Sequence, residues 1–360
     1  MSAFQKVVVK VGTNVLTKAN GLLDMTNISQ LVDQIAQLKT TGTEVILVSS
    51  GAVGAGRATY KVSSDLSRVV QRQVLSAIGQ VRLMEVYRQL FGNYQLYCAQ
   101  VLATKEDFRD RQHYLNMRNC FDALLRDQVV PVVNENDVVA VTELMFTDND
   151  ELAGLVAAMT NADALIILSS VDGLLDGAPD EPDSKVIPLI DPADAKWMEY
   201  ILPSKSSFGR GGMHTKFRVA QKAAKVGIDT FIANGRKEGI LEAIVAGQEV
   251  GTRFQAGNQL SNVKKWIAYN ELGYKGKVYV NEGAATALLS QERVSSLLPV
   301  GIIRLEGTFE KGDLLRIYRK NGDHIGLGIA QYDADTAQTY LGQQGKKELV
   351  HYDYLVIDQI

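Results

Sequence analysis

The sequence predicts an α/β sandwich with a mainly parallel sheet, followed by a small β-barrel-like domain. Apolar runs such as 6–11 and 44–50 are almost uninterrupted, which is typical of strands buried on both faces of a parallel sheet. Segments with apolar residues at helical spacing separate these runs as far as residue 246. Beyond residue 276 the pattern changes to short strands between glycine-containing turns, which indicates a second domain rich in β-structure.

Strands and helices alternate through the first part of the chain, as in α/β proteins. The predicted strands are 6–11, 44–50, 95–102, 129–133, 164–168 and 229–233, and the predicted helices are 28–42, 66–91, 114–126, one from residue 151, 214–226 and 239–246. The later strands are 276–281, 301–305, 314–318 and 325–330.

The 360 residues exceed the usual size of one domain, about 150 residues, and predict two domains. We place the first at 1–255, a polar linker at 256–275 and the second at 276–360. Five of the seven prolines fall between residues 176 and 203. Because proline removes a backbone donor and disfavours helix before it, this segment is predicted to be irregular and is a candidate lid.

Composition excludes several classes of protein. The hydrophobic fraction of 46% is ordinary for a globular chain, and the net charge of −3 gives no sign of a polyanionic partner. Cys98 and Cys120 are too few for a disulfide framework and lack metal-site spacing. No apolar run reaches the roughly 20 residues of a membrane helix. We therefore expect a soluble cytoplasmic protein.

Amides and carboxylates crowd one loop, between the strand at 129–133 and the helix from residue 151. The sequence NEND occupies 134–137, and TDNDE occupies 147–151. Asp148, Asp150 and Glu151 could simply be acids that cap the following helix. Capping does not explain polar side chains at both ends of the segment, so we interpret it as a small-molecule site.

Three glycine-rich stretches follow predicted strands or precede a helix: KVGTN at 10–14, SSGAVGAGR at 49–57 and FGRGGMHTK at 208–216. Such turns present backbone N–H groups to anions. Each has a structural alternative: a solvated Lys10, tight packing of a turn under a helix at 49–57, and a flexible flap at 208–216. Lys216 falls in the first turn of its helix, which disfavours a cation unless an anion lies there too.

No nucleophilic triad is recognisable, since none of the four histidines lies beside a candidate nucleophile. Two lysines, glycine-rich turns and an acid–amide loop fit phosphoryl transfer, which needs positioning and charge neutralisation.

Together these motifs resemble the amino-acid kinase family. The stretches that carry the resemblance are KVGTN (10–14), VSSGAVGAGR (48–57), VVNEND (132–137), DND (148–150) and GGMHTK (211–216). Within the family they are similar to the branch that phosphorylates the side-chain carboxylate of glutamate in the first step of proline synthesis. Residues 280–285, 295–302 and 306–313 are similar to the PUA domain of many bacterial members. The resemblance implies a three-layer sandwich followed by that domain.

The resemblance also implies roles for individual residues. Lys10 and Lys216 would hold phosphate oxygens, and Asp150 would orient both lysines. The acceptor would bind at Ser50, Gly51, Ala52, Asn134, Asp137 and Asn149. The nucleotide would bind at Ser169, Ser170, Arg210, Gly211, Gly212, Met213, His214 and Thr215, together with the two lysines. The family usually has Thr-Asp at the position of Ser169 and Ser170 and threonine at that of Arg210, and Asp172 is a candidate replacement for the missing acid.

The implied substrates are glutamate and ATP with Mg²⁺, with no metal site of the protein's own. The resemblance further implies inhibition by proline, a homodimer or homotetramer, and handover of the product to glutamyl phosphate reductase. One alternative is a kinase for another acceptor, such as aspartate, N-acetylglutamate or carbamate. Another is an RNA-binding regulator, because PUA domains elsewhere contact RNA, although residues 277–360 carry nine basic and eleven acidic side chains.

Overall fold

The computed structural model describes residues 4–140, 146, 148–177, 184–192, 212–270, 273–290 and 294–357. The chain divides into two compact units, Met1–Gln259 and Leu260–Ile360. The segment predicted as a linker, 256–275, contains the helix Asn262–Tyr269, in which Trp266 and Ile267 are buried. From Leu260 onward this segment belongs to the second unit.

An eight-stranded sheet forms the centre of the first unit within the described residues, in the order β3-β4-β2-β1-β5-β7-β8-β6. The strands are β1 (Lys6–Val11), β2 (Glu44–Ser49), β3 (Cys98–Ala103), β4 (Val130–Glu135), β5 (Ala164–Ser169), β6 (Leu189–Ile190), β7 (Asp229–Asn234) and β8 (Thr252–Phe254). All neighbours from β3 to β7 are parallel, whereas β8 is antiparallel to β7. The predicted mainly parallel sheet is confirmed.

Helices cover both faces of this sheet. They are α1 (Thr13–Leu16), α2 (Met25–Thr40), α3 (Ala52–Thr59), α4 (Arg68–Gly92), α5 (Lys105–Arg109), α6 (Arg111–Arg126), α7 (Asn149–Thr160), α8 (Met213–Lys225) and α9 (Ile240–Val245). Alternate residues of β1, namely Val7, Val9 and Val11, pack with apolar residues of α2, α4 and α9 in one core. Because side chains of a strand alternate between faces, Val8 and Lys10 point to the opposite face. Helix α7 contacts β1, and α8 packs on α7.

The glycine-rich stretch at 49–57, interpreted from the sequence as a turn, contains helix α3. That interpretation is wrong beyond Gly51, whose φ of 103° lies in the left-handed region that favours glycine. Glycine weakens isolated helices, but here it allows α3 and α4 to touch. A Cβ atom on Gly56 would lie 2.0 Å from the carbonyl oxygen of Leu75, and one on Gly79 would lie 1.8 Å from that of Ala52.

The proline-containing segment lies largely outside the described residues. Its described part includes β6 and an isolated bridge between Leu175 and Val186. No helix among the described residues has the length and apolar character needed to cross a membrane.

The second unit contains a five-stranded sheet within its described residues, in the order β10-β9-β11-β12-β13. Its elements are α10 (Asn262–Tyr269), β9 (Gly276–Val280), α11 (Glu282–Leu289), β10 (Ile302–Glu306), β11 (Leu314–Arg319), β12 (His324–Ile329), α12 (Ala334–Tyr340) and β13 (Leu355–Ile357). Neighbours are antiparallel except β9 and β11. One face of the sheet packs on its own apolar core, so this unit has a hydrophobic interior separate from that of the first.

Candidate active site

Two lysines and one aspartate form a buried cluster at the carboxyl ends of the central strands. The Lys10 ammonium lies 2.5 Å from Oδ1 of Asp150, and the Lys216 ammonium lies 2.9 Å from Oδ2. Asp150 is fully buried, and the lysines are 3% and 9% exposed. Charges so far from water require close partners, and a single carboxylate with one lysine on each oxygen meets that requirement.

Each member comes from a different element. The alternation of β1 turns Lys10 toward the face that α7 and α8 cover. Asp150 lies in the first turn of α7, where free N–H groups favour a carboxylate. Lys216 lies in the first turn of α8, where a cation is disfavoured. Asp150 supplies an anion at that terminus, which offsets part of the penalty predicted from the sequence.

The electrostatics of the cluster shift the pKa values of two neighbouring acids in opposite directions. Burial acts to raise the pKa of Asp150, but the attraction of Lys10 and Lys216 outweighs it, and the pKa is lowered. Burial, and then repulsion by Asp150, raise the pKa of Asp148 to about 6. Asp148 caps α7, because its Oδ1 accepts hydrogen bonds from the N–H groups of Asp150 and Glu151. Capping therefore explains Asp148 but not the lysine contacts of Asp150.

Asn149 links the ends of β2 and β4. Its amide nitrogen donates to Ser50 Oγ at 3.0 Å and to Asn134 Oδ1 at 2.9 Å. Asn134 in turn donates to Gln80 Oε1 at 2.9 Å. Gly51 and Ala52 follow Ser50 at the start of α3, so their backbone adjoins the same network. These predicted acceptor-side residues lie together on the β2–β4 side of the lysine cluster.

Asp137, predicted to bind the acceptor, is 8% exposed and already has partners within the chain. Arg72 donates to its Oδ1 through Nε at 3.1 Å and Nη2 at 2.6 Å, and Ser76 donates to its Oδ2 at 2.7 Å. Arg72 Nη2 also lies 3.5 Å from Oε2 of Glu135. Sequence reasoning missed Arg72, Ser76 and Gln80. Their spacing of four residues places all three on one face of α4, a signal that becomes meaningful only when the partner of that face is known.

The end of β5 lies on the other side of β1. Ser169 is half-buried and Ser170 is exposed, while Arg210 and Gly211 lie outside the described residues. Asp172, the candidate replacement for the missing acid, accepts hydrogen bonds from Asn234 and Lys237, both at 2.8 Å. Its carboxylate is therefore already bonded to the last residue of β7 and to the turn that follows.

The run 212–216 forms the start of α8. Gly212 caps the helix, Met213 and Thr215 are half-buried and His214 is exposed. Within this run, Lys216 alone forms a side-chain hydrogen bond to the buried Asp150. Among the described residues, no group of three or more His, Cys, Asp or Glu side chains is arranged to hold a metal ion.

The parallel sheet, the two lysines on a buried aspartate and the polar strand ends define a kinase of the amino-acid kinase class, and the chain belongs to that family. The model of the amino acid kinase family matches residues 5–234, and the PUA domain model matches residues 276–349. The chain is similar to two curated proteins named glutamate 5-kinase. It is 51% identical to that of Chlorobaculum tepidum over 98% of both chains, and 48% identical to that of Bacteroides thetaiotaomicron over 99% of both.

Among solved structures, carbamate kinase from Giardia lamblia bound to AMP-PNP has a similar fold. It matches with a TM-score of 0.52 and 21% identity, over 71% of this chain and 100% of that one. The amino-acid kinase fold predicted from the sequence motifs is thereby confirmed.

Proposed function

We propose that this chain is an ATP-dependent kinase that phosphorylates the side-chain carboxylate of L-glutamate to give L-glutamyl 5-phosphate, the first step of proline biosynthesis. The observation that carries the proposal is the Lys10–Asp150–Lys216 cluster, which lies between two polar groups of strand ends. The names of the curated relatives, which cover nearly the whole chain, support glutamate as the acceptor.

The acceptor would bind at the ends of β2 and β4, where Ser50, Asn134 and Asn149 form one hydrogen-bond network. Asp137 would take the substrate's ammonium group while Arg72 holds its carboxylate in place. A glutamate held by hydroxyl, amide and carboxylate groups would direct its side chain toward the lysines. The nucleotide would bind beyond β1, at Ser169, Ser170 and the run 210–216.

In-line transfer between these ligands brings two anions together. The acceptor carboxylate is ionised near neutral pH, so no general base is required. The main barrier is repulsion between the acceptor and the γ-phosphate, together with charge that develops on the transferred group. Lys10 and Lys216, fixed by Asp150, would neutralise that charge without reorganising during the reaction.

Magnesium enters this proposal as part of the substrate MgATP. Mg²⁺ binds phosphate oxygens and retains several waters, so it does not require a cage of protein ligands. The ion would supply charge neutralisation on the phosphates, and the lysines would supply it at the reacting group.

The test is a trapped acyl-phosphate assay. The purified chain is incubated with MgATP, hydroxylamine and one acceptor from a set of glutamate, aspartate, N-acetylglutamate and carbamate. ATP consumption is followed in parallel. The proposal expects hydroxamate formation with glutamate, at a kcat/KM at least about tenfold above that of the other acids, which a 1.4 kcal/mol difference in binding would supply. A preference for another acceptor would overturn it.

Regulation and assembly form the finer part of the proposal. We infer inhibition by proline at the acceptor side, because proline shares the ammonium and α-carboxylate groups of glutamate. We also infer a homodimer or homotetramer in the cytoplasm that hands its labile product to glutamyl phosphate reductase. Assembly is supported by an apolar surface on α3 and α4, where Val81 is 73% exposed beside Ala77, Ile78 and Thr59. Light scattering of Val81→Glu and wild type tests it.

The RNA-binding alternative receives less support from the second unit. The rings of Tyr279 and Tyr318 are stacked at 5.3 Å, and the Arg304 guanidinium lies 3.7 Å from the centre of the Tyr279 ring. Such a surface could stack bases. However, both Arg304 and Lys277 form ion pairs with Glu306, which reduces their attraction for phosphate.

A further inference from the structure

The turn after β7 continues the proposed nucleotide side of the sheet. Asn234, the last residue of β7, is the register partner of Ser169, and the N–H of Gly235 donates to the carbonyl of Ser169 at 2.9 Å. The next residues are Arg236 and Lys237, two cations at the edge of the sheet where phosphates are expected. Both cations lie just beyond residues 5–234, the stretch that the amino acid kinase model matches.

Arg236 reaches back toward the loop that follows Lys10. Its Nη2 donates to the carbonyl of Asn14 at 2.8 Å, in the first turn of α1. That loop also lies close to the reactive cluster, because a Cβ atom on Gly12 would lie 3.5 Å from the Lys10 ammonium nitrogen. The Arg236 guanidinium thus lies between the ends of β1 and β7.

The charge of Arg236 is not balanced within the described part of the chain. No described carboxylate lies within ion-pair distance of its guanidinium, which is exposed and has five N–H donors. The neighbouring Lys237 differs, because it pairs with Asp172 at 2.8 Å. A guanidinium held by one N–H to a backbone carbonyl keeps other donors for a bidentate contact with an anion.

The turn that carries Arg236 is held in place by side-chain hydrogen bonds. Asn234 accepts from the N–H of Arg236 through Oδ1 at 3.0 Å and donates through Nδ2 to Asp172 at 2.8 Å. The Lys237 ammonium donates a hydrogen bond to the second carboxylate oxygen of Asp172. The guanidinium is therefore supported by a pre-ordered loop, which lowers the entropy lost when it binds a ligand.

We propose that Arg236 binds a phosphate group of the nucleotide and supplies a cation to a nucleotide side that has serines at 169 and 170. The inference rests on the proposed kinase function, since it takes the β5–β7 edge to be the nucleotide side. Asp172, Asn234 and Lys237 act as positioning residues that hold the turn.

The experiment compares wild type, Arg236→Gln and Arg236→Lys, with Arg82→Gln as the matched control. Arg82 is an exposed arginine on α4 that pairs with Glu85. Binding of ADP and of adenosine is measured by calorimetry on the full chain. The KM values for MgATP and for glutamate are measured in the hydroxylamine-trapping assay. Thermal unfolding checks that each variant is folded.

We expect Arg236→Gln to weaken ADP binding by roughly tenfold to thirtyfold, as loss of a charge-assisted hydrogen bond does. Adenosine binding and the KM for glutamate should stay within about twofold, Arg236→Lys should recover part of the loss, and Arg82→Gln should resemble wild type. Unchanged ADP affinity, or an equal loss for ADP and adenosine, would overturn the assignment.

Failure of this assignment can be distinguished from failure of the proposed function. If the wild type traps a glutamyl hydroxamate but Arg236→Gln binds ADP normally, only the role of Arg236 is wrong. If the wild type binds ADP in an Arg236-dependent manner but phosphorylates a different acid, only the acceptor is wrong. A wild type that binds no ADP would overturn both.

Discussion

The Lys216 ammonium donates a hydrogen bond to Oδ2 of Asp150 across 2.9 Å, although 66 positions separate the two residues in the chain. Lys10 occupies the other carboxylate oxygen. The three charges are interdependent because each is largely removed from water. Substitutions in the cluster should therefore separate catalytic roles from structural ones.

Replacement of Lys216 by methionine should reduce kcat by roughly 10² to 10³, by analogy with the loss of one preorganised charge-stabilising donor. Methionine retains much of the side-chain volume, and Asp150 keeps Lys10 as its partner, so the protein should remain folded. Steady-state kinetics with saturating glutamate and MgATP measure the effect. Lys225→Met, at the exposed end of the same helix, serves as the control. Near-wild-type turnover of Lys216→Met would show that this ammonium does not act on the transferred group.

Asp150→Asn should be more damaging to stability than Lys216→Met. It leaves two buried ammonium groups without a carboxylate, and such a change costs about 3 to 5 kcal/mol. Urea unfolding of both variants at pH 7.5 gives the comparison. Equal losses of unfolding free energy would mean that the carboxylate is not the charge on which the cluster depends.

Arg72→Gln should raise the KM for glutamate by at least about tenfold, because loss of a hydrogen bond to a charged group costs about 1.5 to 3 kcal/mol. The KM for MgATP should change little, since Arg72 contacts Asp137 on the acceptor side. Arg72→Lys should recover part of the effect by restoring the charge without the two-pronged contact. A rise in both KM values would indicate a general distortion instead.

Gly79→Ala should destabilise the first unit strongly. The added Cβ would lie 1.8 Å from the carbonyl oxygen of Ala52, so α3 and α4 would have to separate, at a cost of about 3 kcal/mol or more. Gly92→Ala, at the end of the same helix, meets nothing within 4 Å and should be neutral or mildly stabilising. Thermal unfolding of the two variants tests the difference, and similar melting temperatures would contradict the close packing.

Asp148→Asn should stabilise the protein in a pH-dependent way. Because the pKa of Asp148 is raised to about 6, the folded state binds more protons than the unfolded state between about pH 4 and 6. The wild type therefore loses stability from this group as the pH rises through that window, whereas asparagine has no charge to desolvate and can still cap α7. The advantage of the variant should be near zero at pH 4 and reach about 1 to 3 kcal/mol above pH 6.5. Urea unfolding at several pH values measures it, and an advantage that does not vary with pH would contradict the expectation.

Much of the fold was predictable because it depends on local periodicity. The apolar runs of β1 and β2 and the helical pattern of α2 and α7 agree with the observed elements. Helix α3 was not predictable on that basis. Its glycines lower helix propensity, and close packing against α4 compensates for this. In that packing Ala52 of α3 lies opposite Gly79 of α4, which is 27 positions away in the sequence.

The amino-acid sequence was enough to predict the class of the protein, because strand endings, glycine-rich turns and charged residues occur in an order that suits phosphoryl transfer. The resemblance to a known family implied that Lys10, Asp150 and Lys216 belong to one site. Three contacts became visible only in the folded chain: Arg72 holds Asp137, Asp172 pairs with Lys237, and Arg236 lies beside the loop after Lys10. The local pattern of a strand sets which face a side chain points to, and a sequence shows that pattern directly. The partner that this side chain meets across the sheet depends on strand order and on helix packing, which arise from contacts throughout the whole unit.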